Sequence, residues 1–219
     1  MTPPITTPSR LMQALVSLAL CIVLGACLSL GKKPEQTVYS PQVAISADAD
    51  WPSVDWPLLV MRPLASDALD TARIVVRPQP GTLQVYQGAA WSDPAPDLLQ
   101  AALVGAFEDS GKIVAVGRQG SGLRGDFSLL LDMRQFEAVY ENRAASPAAV
   151  IQLQAKLLGK PGNRVLAAKT FRVAVPASGK DVPAVVAAFD SALNQSIAQI
   201  VGWTLATGQA NLPAADASR

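Results

Sequence analysis

The sequence predicts an α+β fold: a mainly antiparallel or mixed β-sheet with two principal helices packed on one face, in a single domain. Three observations predict it. Two stretches, 93–109 and 181–205, carry apolar residues at helical spacing. Ile151 to Leu158 alternates strictly, with Ile151, Leu153, Ala155 and Leu157 set against Gln152, Gln154 and Lys156. One dry face and one wet face is the habit of antiparallel sheets. Each helical stretch also follows a group of strand-like runs, which speaks for one sheet layer and one helix layer.

In chain order, Thr37 to Ile45 predicts an edge strand interrupted by Pro41. Ser46 to Asp55 is small, acidic and loop-like. Apolar Trp56 to Met61 and β-branched Ala72 to Arg77 predict strands, the second ended by Pro78. Thr82 to Tyr86 predicts the partner in a hairpin turned by Pro80-Gly81, with Leu83 and Val85 on one side. The helix over 93–109 has Asp93 or Asp97 as its cap and Pro94 and Pro96 early. Its stripe is Leu99, Ala102, Leu103, Ala106 and Phe107, and Ser110-Gly111 stops it.

Ile113 to Val116 is a short strand. Phe127 to Tyr140 alternates through Phe127, Leu129, Leu131 and Met133, then shifts so that Phe136 and Tyr140 share a face. That shift predicts a bulge near Gln135. Lys160 to Asn163 is a turn, and Arg164 to Val175 returns with Phe171, Val173 and Val175 on the face of Lys169. The second helix has Asp181 as N-cap, Pro183 in its first turn and the stripe Val186, Phe189, Leu193, Ile197 and Ile200. Residues 207–219, small and polar, read as a flexible tail.

Ahead of this domain, 37–206, lies an export signal. Arg10 and the amino terminus are positive, and Leu11 to Ala26 is apolar and nearly uncharged. The run is shorter than the roughly 20 residues a spanning helix prefers; an uncleaved signal anchor is the alternative. Leu24-Gly25-Ala26-Cys27 resembles the bacterial lipobox. Residues 1–26 are then the lipoprotein signal peptide, and Cys27 is the lipidation site. The resemblance implies a diacylglycerol on its thiol and, after cleavage, an acyl chain such as palmitate on its amino group. The alternative for Cys27 is a buried apolar cysteine. Residues 27–36 form the lipidated start and a tether, of which 28–36 spans roughly 15–20 Å as a flexible coil. By analogy with enterobacterial lipoproteins, the absence of Asp at Leu28 points to the outer membrane, with the domain facing the periplasm.

The chain has 219 residues, a formal net charge of +1, no His and two Cys. Lack of His excludes imidazole bases and the His ligands of common catalytic zinc sites. Two Cys, one in the signal and one acylated, leave neither disulfide nor thiolate metal site. Near-neutral charge excludes a strongly basic nucleic-acid binder. Loss of Arg10 leaves 17 Lys+Arg against 17 Asp+Glu, so anchoring falls to acyl chains and not to a polybasic patch.

Other patterns are weaker. Gly120-Ser-Gly122-Leu-Arg-Gly125 matches a dinucleotide fingerprint, but a strand pattern follows where a helix is required. It reads as a loop that, with Arg118 and Arg124, offers contact to a partner or to headgroups. Asp126, Asp132, Glu137 and Glu141 interleave with Arg134 and Arg143, the pattern of a solvated strand face; a carboxylate hydrolase would need two of them together. Asp48, Asp50 and Asp55 lack the turn Gly and closing Glu of a cation loop. Trp56 and Trp203 fall at core positions, and Trp51 and Trp91 at element edges.

Finally, Leu69-Asp-Thr-Ala-Arg-Ile-Val-Val-Arg-Pro78, Val85-Tyr86, Trp91-Ser-Asp93, Asp97-Leu-Leu-Gln100 and Ala106-Phe107-Glu-Asp-Ser-Gly111 resemble the ABC-type transport auxiliary lipoproteins. Phe136-Glu137, Arg164 to Phe171, the lipobox and the helix ending near Trp203 fit as well. The resemblance spans about 24–206. It implies an auxiliary subunit of an MCE/ABC-type intermembrane lipid transport system. Its partners would be a periplasmic MCE-domain protein with the associated ABC permease and ATPase, and the membrane through the lipid anchor. Lipid cargo and further copies of the chain are additional candidates. It implies no enzyme activity, no catalytic residue, no cofactor and no nucleic acid. The rival reading is an outer-membrane lipoprotein that activates or assembles another envelope protein.

Overall fold

The long alternating run that begins at Phe127 becomes the strand on which the sheet is built. The computed structural model describes residues 36–141 and 144–212. Within them the strands are β1 Thr37–Tyr39, β2 Val54–Val60, β3 Leu64–Ala65, β4 Arg73–Arg77, β5 Gln84–Trp91, β6 Ile113–Arg118, β7 Phe127–Val139, β8 Ala148–Gly159 and β9 Arg164–Pro176. The helices are α1 Ala95–Ser110 and α2 Val182–Ala210.

One edge of β7 pairs antiparallel with β8 along its whole length, and β8 with β9. The other edge carries β2, β3 and β4 end to end, all parallel to β7. β6 continues the sheet outside β2, while β5 and then β1 continue it outside β4. The sheet is therefore mixed, antiparallel where its strands are longest. The bulge is where the alternation breaks: register passes from Met133↔Leu153 to Gln135↔Gln152, leaving Arg134 unpaired. It lets Phe127, Leu129, Leu131, Met133 and Phe136 all reach the core.

α2 packs on β8 and β9, α1 on β6, and the helices touch each other. Both predicted stripes are buried, Ala102 only partly. Phe136 stacks on Phe189 at 5.1 Å, and Trp91 meets Phe189 edge-on at 5.2 Å. By length and hydropathy α2 would pass for a membrane span, but its apolar side is consumed by the sheet. The described core lies wholly within the unit that begins at Gln36.

Several elements depart from expectation. β1 stops at Tyr39, because Pro41 ends the pairing. The chain then runs along α2: Gln42 N–H donates to Asp190 Oδ1 at 3.1 Å, and Ala44 N–H to Asn194 Oδ1 at 2.9 Å. Leu83 is exposed and outside β5, which instead extends to Trp91 through a register shift around Gly88 at φ 69°. Neither Asp93 nor Asp97 caps α1; Pro94 holds that place without a side-chain bond. None is needed: Ala95 N–H donates to Thr71 O at 3.1 Å, Pro96 has no N–H, and Asp97 N–H reaches Pro94 O at 2.9 Å. Asp181 does cap α2, accepting from Ala184 N–H at 3.3 Å. α2 runs past Leu205 to Ala210 because Gly208 is buried against the Trp56 ring, leaving no room there for a Cβ. Residues 213–219 of the expected tail lie outside the described residues.

Candidate functional site

Four charged side chains and an apolar floor meet at one end of the sheet, where β2 and β7 begin, β8 turns into β9 and α2 ends. They line an open cleft of about 820 Å³. Trp56 and Phe127, edge-on at 4.7 Å, lie at its base, with Leu166 and Leu212 on its sides. Asp55, Asp126, Lys160 and Arg164 supply its charge, and all four are exposed.

Local structure explains the placement. Lys160 and Arg164 flank the β8–β9 turn, whose Gly162 (φ 86°) and Asn163 (φ 53°) adopt left-handed backbone suited to those residues. Lys160 N–H donates to Asp126 O at 3.1 Å, and Asp126 N–H to Pro57 O at 2.9 Å, tying turn, β7 and β2 together. Leu166 is the extra residue of a register shift between Leu157↔Ala167 and Leu158↔Val165. Gly159 makes the room: a Cβ there would stand 2.8 Å from Leu166 Cδ1. Nothing in the sequence signals this cleft, because its residues come from four distant segments, each ordinary alone.

Two ion clusters shape the rest of the domain. Arg77 donates from Nε and Nη2 to the two oxygens of Glu137 at 2.8 and 3.0 Å, and Gln135 adds a 3.0 Å bond. Glu137 is 1% exposed. This corrects the solvated-face expectation for that residue: β7 is covered on both edges, so its carboxylate needs a buried partner. Arg62 forks between Asp97, at 2.7 and 2.9 Å, and Asp70, at 2.8 and 3.0 Å, clamping the β3–β4 loop to the first turn of α1. Its hydrogen bonds hold both carboxyls below the usual range and push the guanidinium up. Carboxyls with a folded pKa below the unfolded value stabilise the fold fully above the unfolded pKa, about 4, and lose that contribution as pH falls further. Thermal melting below about pH 4 should therefore drop more steeply for the native chain than for Arg62→Ala, by a modest margin given the clamp's exposure. Parallel melting curves against pH would remove the clamp from the account. Asp190 moves the opposite way: burial raises it, opposed by the Gln42 N–H.

The other singled-out residues disperse. Asp132 pairs with Arg134 and Glu141 with Arg172, each at 3.6 Å, while Asp126 faces the cleft. Cys27 and Arg143 lie outside the described residues. Asp48 Oδ1 accepts from Asp50 N–H at 3.1 Å, a turn contact. The Gly120–Gly125 segment links β6 to β7, with Gly120 and Gly122 at φ 86° and 82°, and no helix follows it. Arg118 just before it and Arg124 within it are exposed. Trp91 ends β5, at the element edge expected, and is buried in the core, while Trp203 is half-buried on Phe171 at 5.7 Å. Trp51 lies half-buried against Gly202.

Comparison with known proteins falls on the same domain. The family model described as ABC-type transport auxiliary lipoprotein component matches residues 37–201. The crystal structure of protein XCC0632 from Xanthomonas campestris is 50% identical, with a TM-score of 0.77, over 80% of this chain and 98% of that one. A crystal structure of an uncharacterized protein shares the fold at 15% identity and TM-score 0.56, covering 73% of this chain and 97% of that one. The uncharacterized protein bll6063 of Bradyrhizobium diazoefficiens is 28% identical over 148 residues, which is 68% of this chain and 39% of the relative's length.

Proposed function

This chain belongs to the ABC-type transport auxiliary lipoprotein component family, and from that premise we propose that it is the envelope-side auxiliary subunit of an MCE/ABC-type intermembrane lipid transport system. In this reading Cys27 carries the acyl anchor at the periplasmic face of the outer membrane. The folded domain docks the periplasmic MCE component.

One observation carries the reading: a lipobox ending at Cys27 stands directly ahead of a family domain that begins at Thr37. Equal numbers of positive and negative side chains in the mature segment leave no basic surplus, so anchoring in this reading falls to acyl burial. The family is described as a transport component, and in this reading the chain docks and does not catalyse.

Affinity purification of the lipidated full chain from its native envelope tests this. Recovery of an MCE-domain protein with its ABC partners is the expected result. Recovery of an unrelated envelope protein alone would overturn it in favour of an activation or assembly role.

A further inference from the structure

We propose that the cleft between the starts of β2 and β7, the β8–β9 turn and the end of α2 binds a zwitterionic amphiphile. Its anionic group would sit on Lys160 and Arg164, its ammonium on Asp55 and Asp126, and its chain along Leu166 and Leu212 above Trp56. This deepens the transport reading and rests on it only for the source of the ligand, a membrane phospholipid.

The charge pattern selects the ligand class. Among the described residues, none of the four charged side chains makes a side-chain hydrogen bond or ion pair, although both signs line the same cleft. Elsewhere on the surface opposite charges do meet, as in Arg62 with Asp70 and Asp97 and in Arg172 with Glu141. In the cleft they stand apart. A simple anion would satisfy the two cations and be opposed by the two carboxylates, and a simple cation the reverse. A ligand bearing both charges satisfies both pairs.

The apolar surface selects an amphiphile over a small polar zwitterion. Leu166 and Leu212 border the cleft beside the Trp56–Phe127 floor, and covering them from water is favourable at about 25 cal/mol per Å². The volume, about 820 Å³, falls in the roughly 300–1,000 Å³ range of small-molecule sites. The Trp56 Nε1–H, buried below, has no acceptor among the described residues, an uncommon state for a buried donor. The frame is set before any ligand arrives: the turn, the Lys160–Asp126–Pro57 backbone bonds and the Leu166 bulge fix the charged positions. Such preorganisation lowers the cost of binding.

The test uses the unit from Gln36 onward, which holds all of the described core, incubated with mixed vesicles of phosphatidylethanolamine and phosphatidylglycerol. Retained lipid is measured by mass spectrometry after gel filtration. Phosphatidylethanolamine should be retained preferentially. Lys160→Glu with Arg164→Glu should lower retention about ten-fold, the scale of losing charged hydrogen bonds. Asp55→Asn with Asp126→Asn should abolish the headgroup preference. All four positions are exposed, so circular dichroism should show intact folding. A folded domain that retains no lipid, or retains it without headgroup preference or charge dependence, would overturn the proposal. Phosphoethanolamine or inorganic phosphate binding as well as the lipid would overturn its apolar half. Retention seen only after removing residues 213–219 would assign the cleft to the chain's own end. None of these outcomes bears on MCE docking, which the affinity purification reads separately.

Discussion

Arg77→Ala should cost the domain about 3–5 kcal/mol, the loss expected when one partner of a buried ion pair is removed. Glu137 is 1% exposed and Arg77 is 29% exposed by its side chain. The two deletions are therefore unequal. Without Glu137 the guanidinium turns toward water and rehydrates. Without Arg77 the carboxylate stays buried with Gln135 as its remaining side-chain donor, at 3.0 Å. Glu137→Ala should thus be the milder change, and Arg77→Met with Glu137→Leu milder than Arg77→Ala, since a hydrophobic pair leaves no stranded charge. Urea unfolding reads the order directly: the midpoint should move with unchanged slope. A native midpoint in Arg77→Ala would show that the pair contributes nothing. The pair also has a place in the architecture, because Arg77 joins β4 to the end of β7. From that junction the sheet continues through β5 to β1.

With Cys27 as the proposed anchor, Cys27→Ala should abolish fatty-acid labelling and remove the protein from the membrane fraction. Each buried CH₂ of an acyl chain contributes about 0.8 kcal/mol, so that two or more chains anchor stably where one does not. With 17 Lys+Arg against 17 Asp+Glu after loss of Arg10, no basic surplus remains to replace them. The native protein should therefore stay with the membrane through a high-salt wash, which screens surface charge but leaves acyl burial intact. Labelled palmitate on Cys27→Ala at the native level would end the assignment of Cys27. Release of the native protein by salt alone would instead point to an electrostatic partner.

The residues that carry the family resemblance turn out to be largely builders of the fold. Leu69, Trp91, Phe107 and Phe136 are buried. Arg77 and Glu137, quoted from separate segments, meet each other. Asp70 and Asp97, also from separate segments, share Arg62. Such residues identify the scaffold, whereas the cleft charges do the opposite: Lys160 opens a turn and Asp126 precedes a strand, with nothing in their neighbours to mark them.

What the sequence determined by itself is what depends on near neighbours. The stripes of α1 and α2, the alternation of β7 and β8, the break at Gln135 and the Asp181 cap are each written within a few residues, because helix and strand periods and capping bonds are local. The resemblance of Leu24 to Cys27 to a lipobox is equally local. Tertiary structure alone decided that β7 would carry β2, β3 and β4 in line, and that Trp56 would hold α2 helical through Gly208. It also decided that Arg77 would find Glu137 across a separation of 60 residues. Contacts of that kind have no period. They depend on which distant surfaces arrive together once the apolar faces are buried, and the same event brings Asp55, Asp126, Lys160 and Arg164 to one cleft.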